Sequence, residues 1–161
     1  LEDGKVTLIG NIDPLALEKV VVTFNAALKY FPDNPHLLEA LGMTLATAGR
    51  PDQAVPLFRI TADLAPQNVN AWLNLARAAL ADNELEISHA ALMKVFALDA
   101  NNHFALALLF ECQWRKVDFP AALETARRWN DVAPDANSRA ALAKAENEQP
   151  APTLPPRPRH E

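Results

Sequence analysis

Residues of the same character return along this chain every 34 positions. A period of that length belongs to a two-helix unit, which cannot bury its apolar side alone and must stack on its neighbours. The frames are 35–68, 69–102 and 103–136. In the first, Leu38, Leu41, Gly42, Leu45, Ala54, Phe58 and Pro66 fall at positions 4, 7, 8, 11, 20, 24 and 32. The second is looser, with Trp72, Leu75, Ala76 and Leu92 at positions 4, 7, 8 and 24, and Ala79, Ser88 and Ala100 at 11, 20 and 32. The third keeps Leu106, Leu109, Ala122 and Pro134 but puts Phe110 at position 8, Gln113 at 11 and Trp129 at 27. Position 8 is where two helices of a hairpin approach closely, so bulky Phe110 and Trp129 are expected to push the third pair apart or turn it.

Helices are also indicated residue by residue. Apolar side chains recur at three- and four-residue steps through 37–45, 71–80, 87–98 and 104–114. Only 4 residues of 161 are glycine, while alanine and leucine dominate, which favours helices over strands or phosphate loops. Asp13-Pro14 and Asn34-Pro35 each pair a capping acceptor with a first helical residue that needs no amide hydrogen. Gly49-Arg50-Pro51-Asp52 reads as the turn inside the first hairpin, and Pro120 suits the first turn of its helix. Pro56 would remove a hydrogen bond inside a helix, so that helix is expected to begin late or bend. Upstream, Leu17, Phe24, Ala27 and Pro32 match positions 17, 24, 27 and 32 of an earlier frame, making 14–31 a second helix without its first.

The first frame carries the signature of the tetratricopeptide repeat family, and the chain resembles that family over about three full repeats. The resemblance implies an all-α fold of antiparallel helix hairpins stacked as a right-handed tetratricopeptide-like α-solenoid. We expect an extended segment over 1–13, a repeat domain over 14–148 and a capping helix over 137–148 with a solvated outer face. The proline-rich stretch 149–161 is expected to be a disordered tail, in which Pro152, Pro155 and Arg157 have the spacing of a polyproline ligand. Val6, Leu8 and Ile9 alternate with polar neighbours in the first segment. The chain starts on Leu1, and we expect it to be a fragment or a processed product.

Half of the residues are apolar and 22% are charged, enough for one sizeable core. No apolar run reaches the length of a membrane span, and a net charge of -5 argues against nucleic acid or an anionic membrane as a partner. The basic residues Lys94, Arg115, Lys116, Arg127 and Arg128 are interleaved with acids and read as solvated helix faces. The lone Cys112 rules out an internal disulfide and reads as a packing residue. No catalytic constellation is evident. Ser88 and His89 are helix neighbours that point about 100° apart, and Asp99, Asn101, Asn102 and His103 lie where each repeat needs a polar turn and a cap. No enzyme activity, cofactor or metal is expected. A cytoplasmic location is favoured, or a periplasmic one if a targeting segment precedes Leu1.

The resemblance implies that a concave groove forms from the first helices, lined mainly by positions 2, 5, 6, 9, 12 and 13. Those positions hold His36, Glu39, Ala40, Met43, Ala46 and Thr47, then Asn70, Leu73, Asn74, Arg77, Leu80 and Ala81, then Phe104, Ala107, Leu108, Glu111, Trp114 and Arg115. We expect a protein or peptide partner, an amphipathic helix or extended segment, with its apolar side against Met43, Leu73, Leu80, Phe104, Leu108 and Trp114. Glu39, Asn74, Arg77, Glu111 and Arg115 would supply polar contacts and orientation. The family's chaperone-binding members grip a carboxylate with lysines, an arginine and asparagines. The matching positions here are Glu39, Met43, Asn74, Phe104 and Leu108, of which only Asn74 agrees.

Two further roles follow from the same reading. The helix at 14–31 exposes Leu15, Val20, Val21, Phe24 and Leu28, an apolar face that a second copy or an absent upstream helix must cover, so a homodimer through it is one alternative. The other is a docking arm of a larger enzyme or of a bacterial assembly factor such as one for c-type cytochromes, since the passage from Lys94 to Leu106 resembles bacterial members of the family.

Overall fold

The computed structural model describes residues 13–148, so the expectations for residues 1–12 and for the proline-rich tail lie outside the described residues. Within them the chain forms eight helices: α1 (Pro14–Leu28), α2 (Pro35–Thr47), α3 (Pro51–Leu64), α4 (Val69–Ala81), α5 (Leu85–Leu98), α6 (His103–Arg115), α7 (Phe119–Val132) and α8 (Ala136–Asn147). Helices α2 and α3, α4 and α5, and α6 and α7 make three hairpins, while α1 and α8 pack at the two ends. The fold is an all-α helical repeat solenoid, and its helices change over where the 34-residue pattern places them.

The joints repeat as strictly as the helices. Asn34, Asn68 and Asn102, one per period, cap α2, α4 and α6; their side chains accept from the amides of His36 (3.0 Å), Asn70 (3.0 Å) and Ala105 (3.0 Å). Inside each hairpin the turn passes through one residue of positive φ, which is Gly49 at 75°, Asn83 at 62° and Val117 at 61°. The amide just after it reaches back to close the helix: Arg50 to the Leu45 carbonyl (2.9 Å), Glu84 to Ala79 (2.8 Å) and Asp118 to Gln113 (3.0 Å). Glycine meets the left-handed requirement without cost and asparagine tolerates it, but a β-branched valine is strained there.

Pro56 corrects one expectation. Helix α3 runs unbroken from Pro51, with Pro56 inside it. Pro56 and Asp52 both lie on the exposed side, where water can take the bond that the proline cannot donate to the Asp52 carbonyl.

The interior divides in two. Leu41, Leu45, Phe58, Leu75, Leu92, Val95 and Leu109 belong to a continuous core through α2–α6. A second cluster of Leu106, Phe110, Ala122, Ala126, Trp129, Ala141 and Ala145 joins α6, α7 and α8. Each fully buried leucine or phenylalanine contributes about 1.5–3 kcal/mol. At position 8 of the first hairpin, a Cβ on Gly42 would stand 2.9 Å from the Phe58 ring, so position 8 faces position 24. The third hairpin inverts this pair. Its bulky residue is Phe110 at position 8, and position 24 is Ala126, both buried in the second cluster. Trp129 lies there too, its ring centroid 6.5 Å from that of Phe110. The bulk expected to splay the third pair is thus absorbed by a small residue opposite and by ring packing.

Candidate functional site

Helices α2, α4 and α6 line up side by side, and between them runs a cleft of about 540 Å³. It is lined by Glu39 and Met43 of α2, by Asn70, Leu73, Asn74 and Arg77 of α4, and by Phe104, Ala107 and Leu108 of α6. All nine stand at the groove positions read from the sequence. Met43 (46% exposed) and Phe104 (63% exposed) are large apolar side chains left open to water along this cleft. The Phe104 ring is held against His103, centroids 4.0 Å apart.

The polar groups of the cleft form a ladder that sequence reading did not anticipate. Asn74 Nδ2 donates to Glu39 Oε1 at 2.9 Å, and Arg77 Nη2 donates to Asn74 Oδ1 at 3.0 Å. The amide thus links the carboxylate of one repeat to the guanidinium of the next, and the two charges offset one another along the wall. The available signal was the 35-residue step from Glu39 to Asn74, one period plus one, which brings neighbouring first helices into side-chain reach. The remaining capacity of Asn74 and the open fork of Arg77 suit hydrogen bonds to a ligand's backbone or polar side chains.

Of the residues expected to touch the partner, four lie outside this cleft. Leu80 is 6% exposed and belongs to the interior, where its carbonyl accepts from Arg115 Nη1 at 2.8 Å. Arg115 is further occupied by Glu111, whose Oε1 its Nε meets at 2.8 Å. Trp114 packs among Phe110 (5.7 Å between centroids) and Phe119 (5.0 Å), and Lys144 of α8 stands 3.9 Å from its ring centroid. Its place in the groove is taken because α8 closes over that end, a consequence invisible in the spacing of α6 alone. Glu111 instead borders a separate hollow beside Asn137 and Lys144.

The N-terminal apolar set also divides. Val21, Phe24 and Leu28 pack partly against the main core, whereas Leu15 and Val20 remain exposed. Arg50 ties α1 down through an ion pair with Glu18 at 2.8 Å.

Among the residues set aside as sites, Cys112 is fully buried with Sγ 3.4 Å from the Leu85 carbonyl, and burial pushes its thiol pKa up, away from a reactive thiolate. Lys116 bonds Glu86 at 2.9 Å and holds that carboxyl below the usual range. Arg128 lies over the Phe96 ring, 5.2 Å from its centroid, and donates to the Ala100 carbonyl. Among the described residues no three histidine, cysteine or carboxylate groups gather as a metal site, and no helix is long and apolar enough to cross a membrane.

A model of the tetratricopeptide repeat family matches residues 23–69 and 39–87, and solved structures similar to the chain include tetratricopeptide domains. Residues 23–87 are thus similar to the tetratricopeptide repeat family, and the helical fold is that of tetratricopeptide solenoids. MamA from Desulfovibrio magneticus RS-1 is 18% identical with a TM-score of 0.73, the match covering 82% of this chain and 75% of that one. YrrB, described as a tetratricopeptide protein with an unusual peptide-binding site, is 19% identical with a TM-score of 0.72, over 81% of this chain and 66% of its own. The second such domain of human RPAP3, solved in complex with the HSP70 peptide SGPTIEEVD, is 16% identical with a TM-score of 0.64, over 70% of this chain and 98% of its own. No curated protein matches the sequence.

Proposed function

We propose that this chain docks a peptide or a short amphipathic helix in the cleft between α2, α4 and α6, and that it does so without catalysis. The observation that carries the reading is the cleft's lining: exposed Met43 and Phe104, with Leu73 and Leu108, along one trough beside the Glu39–Asn74–Arg77 ladder. Large apolar side chains in water are stabilised by covering them, and a polar rail that is already internally neutralised favours uncharged backbone groups over a charged terminus. Leu80, Glu111, Trp114 and Arg115 are outside this proposal, since each is buried or engaged within the chain.

The ligand differs from the HSP70 peptide bound to RPAP3. A carboxylate-ended peptide would meet the Glu39 carboxylate and the apolar Met43, Phe104 and Leu108 where a carboxylate grip needs cationic donors, so an EEVD peptide should not bind. Selection of displayed random peptides on the purified chain tests both points. Peptides with spaced apolar residues should emerge, and Phe104→Ala or Met43→Ala should weaken them about tenfold or more. Selected peptides that bind both variants as tightly as the parent chain, or that crosslink only to the outer side of α3, α5 and α7, would overturn the reading.

A further inference from the structure

We infer that the outer side of α1 is an open half-hairpin that takes up an α-helix from outside residues 1–161, one with glycine or alanine between leucines where it crosses Phe24. The argument rests on comparing the molecule with itself. Position 24 faces the first helix of its hairpin, as Phe58 does at Gly42, and positions 20 and 27 lie on the same face of the second helix one turn to either side. In the three closed hairpins these are Ala54, Phe58 and Thr61, then Ser88, Leu92 and Val95, then Ala122, Ala126 and Trp129, and none is more than 8% exposed. In α1 the same positions are Val20, which is 40% exposed, and Phe24 and Ala27, which are only half-buried. Val22 is also exposed, but so are Pro56, Ala90 and Glu124 at its position, so it says nothing about a missing helix. At these three positions α1 differs from all three closed hairpins.

The register also says what the occupant looks like. Where position 24 is phenylalanine, position 8 opposite is glycine, because a Cβ on Gly42 would come within 2.9 Å of the Phe58 ring. Phe24 therefore calls for glycine or alanine in the incoming helix. Apolar residues four and one before it and three after it, the spacing of buried Leu38, Leu41 and Leu45 around Gly42, would cover Val20 and Ala27.

Neither this chain nor a second copy supplies that pattern. Positions 4, 7, 8 and 11 of the first frame are Gly4, Thr7, Leu8 and Asn11, with a leucine where Phe24 needs a small residue. Helices α2, α4 and α6 are already closed by their own partners, and the open side of α8 carries Arg139 and Glu146.

A fluorescent peptide with the sequence of residues 35–50 is the probe, titrated into the full chain by anisotropy. It should bind saturably and monomerically. Val20→Asp in the chain, or leucine in place of the peptide's glycine, should each weaken it about tenfold or more, while Phe104→Ala leaves it unchanged. Unaltered helical circular dichroism and thermal midpoint show that Val20→Asp still folds, and the peptide change leaves the protein untouched. Binding no better than a scrambled peptide, or indifferent to both changes, overturns the inference. So does a homodimer that sedimentation shows to be dissolved by Val20→Asp, or a gain in affinity when residues 1–12 are deleted, since either names a different occupant.

Discussion

The first and third hairpins solve one packing problem in opposite ways. In α2–α3 the first helix gives way: Gly42 leaves room, and the fully buried Phe58 ring fills it from the second helix. In α6–α7 the ring comes from the first helix as Phe110, and Ala126 makes room on the second. The middle hairpin splits the difference with Ala76 and Leu92. What the repeat conserves is the summed volume across the pair, not the residue at either position. The choice has a consequence beyond the hairpin. Phe110 is the residue around which Trp114, Trp129 and α8 gather, so the C-terminal end acquires its own core and its groove-side tryptophan is drawn into it.

The comparison breaks most severely at Phe110. Phe110→Ala should cost about 3–5 kcal/mol by leaving a cavity in a cluster with few other large side chains. Hydrogen exchange should show α7 and α8 opening before α2–α5, because they pack on the second cluster while α6 and Phe96 are also held by the main core. If the volume rule holds, adding Ala126→Phe restores part of the loss; a double variant worse than Phe110→Ala would refute it. Next in size is the mirror experiment. Gly42→Leu should cost about 1–3 kcal/mol through overpacking against Phe58, and Phe58→Ala should be less harmful in that background than alone, as a urea double-mutant cycle would read.

Much of this was legible from spacing. The 34-residue period located the hairpins, the asparagine and aspartate caps located their starts, and the groove positions located the lining of the cleft, because all three depend on local register. What escaped were properties of pairs across helices. Phe110 looks like an error until Ala126 is read with it, 16 residues on. Trp114 looks like a groove anchor until Lys144 is placed over its ring. Leu80 matches a lining position, but α6 packs on α4 there and takes it inside. Pro56 was read for the bond it lacks, whereas its tolerance comes from the side of α3 on which it falls.

Smaller tests sharpen the same comparison at sites where the hairpins differ by one atom group. Val117 occupies the left-handed turn position that Gly49 fills in the first hairpin, φ 61° against 75°. Val117→Gly should stabilise the third hairpin by about 1 kcal/mol, the relief of strain outweighing the greater freedom of the unfolded chain, and Gly49→Val should cost at least as much; thermal midpoints of the two variants decide.

The smallest effect expected is at position 20, where two hairpins use Ala54 and Ala122 and the middle one uses Ser88, all fully buried. The Ser88 hydroxyl has no hydrogen-bond partner, so its desolvation is uncompensated, and serine is also the weaker helix former. Ser88→Ala should therefore raise the urea midpoint by an amount worth about 1 kcal/mol or less, with an unchanged slope. A loss of stability instead would mean that the hydroxyl serves a contact specific to the middle hairpin. The three hairpins could then no longer be treated as one unit repeated with compensated volumes, and the pairing of Phe110 with Ala126 would need a separate explanation.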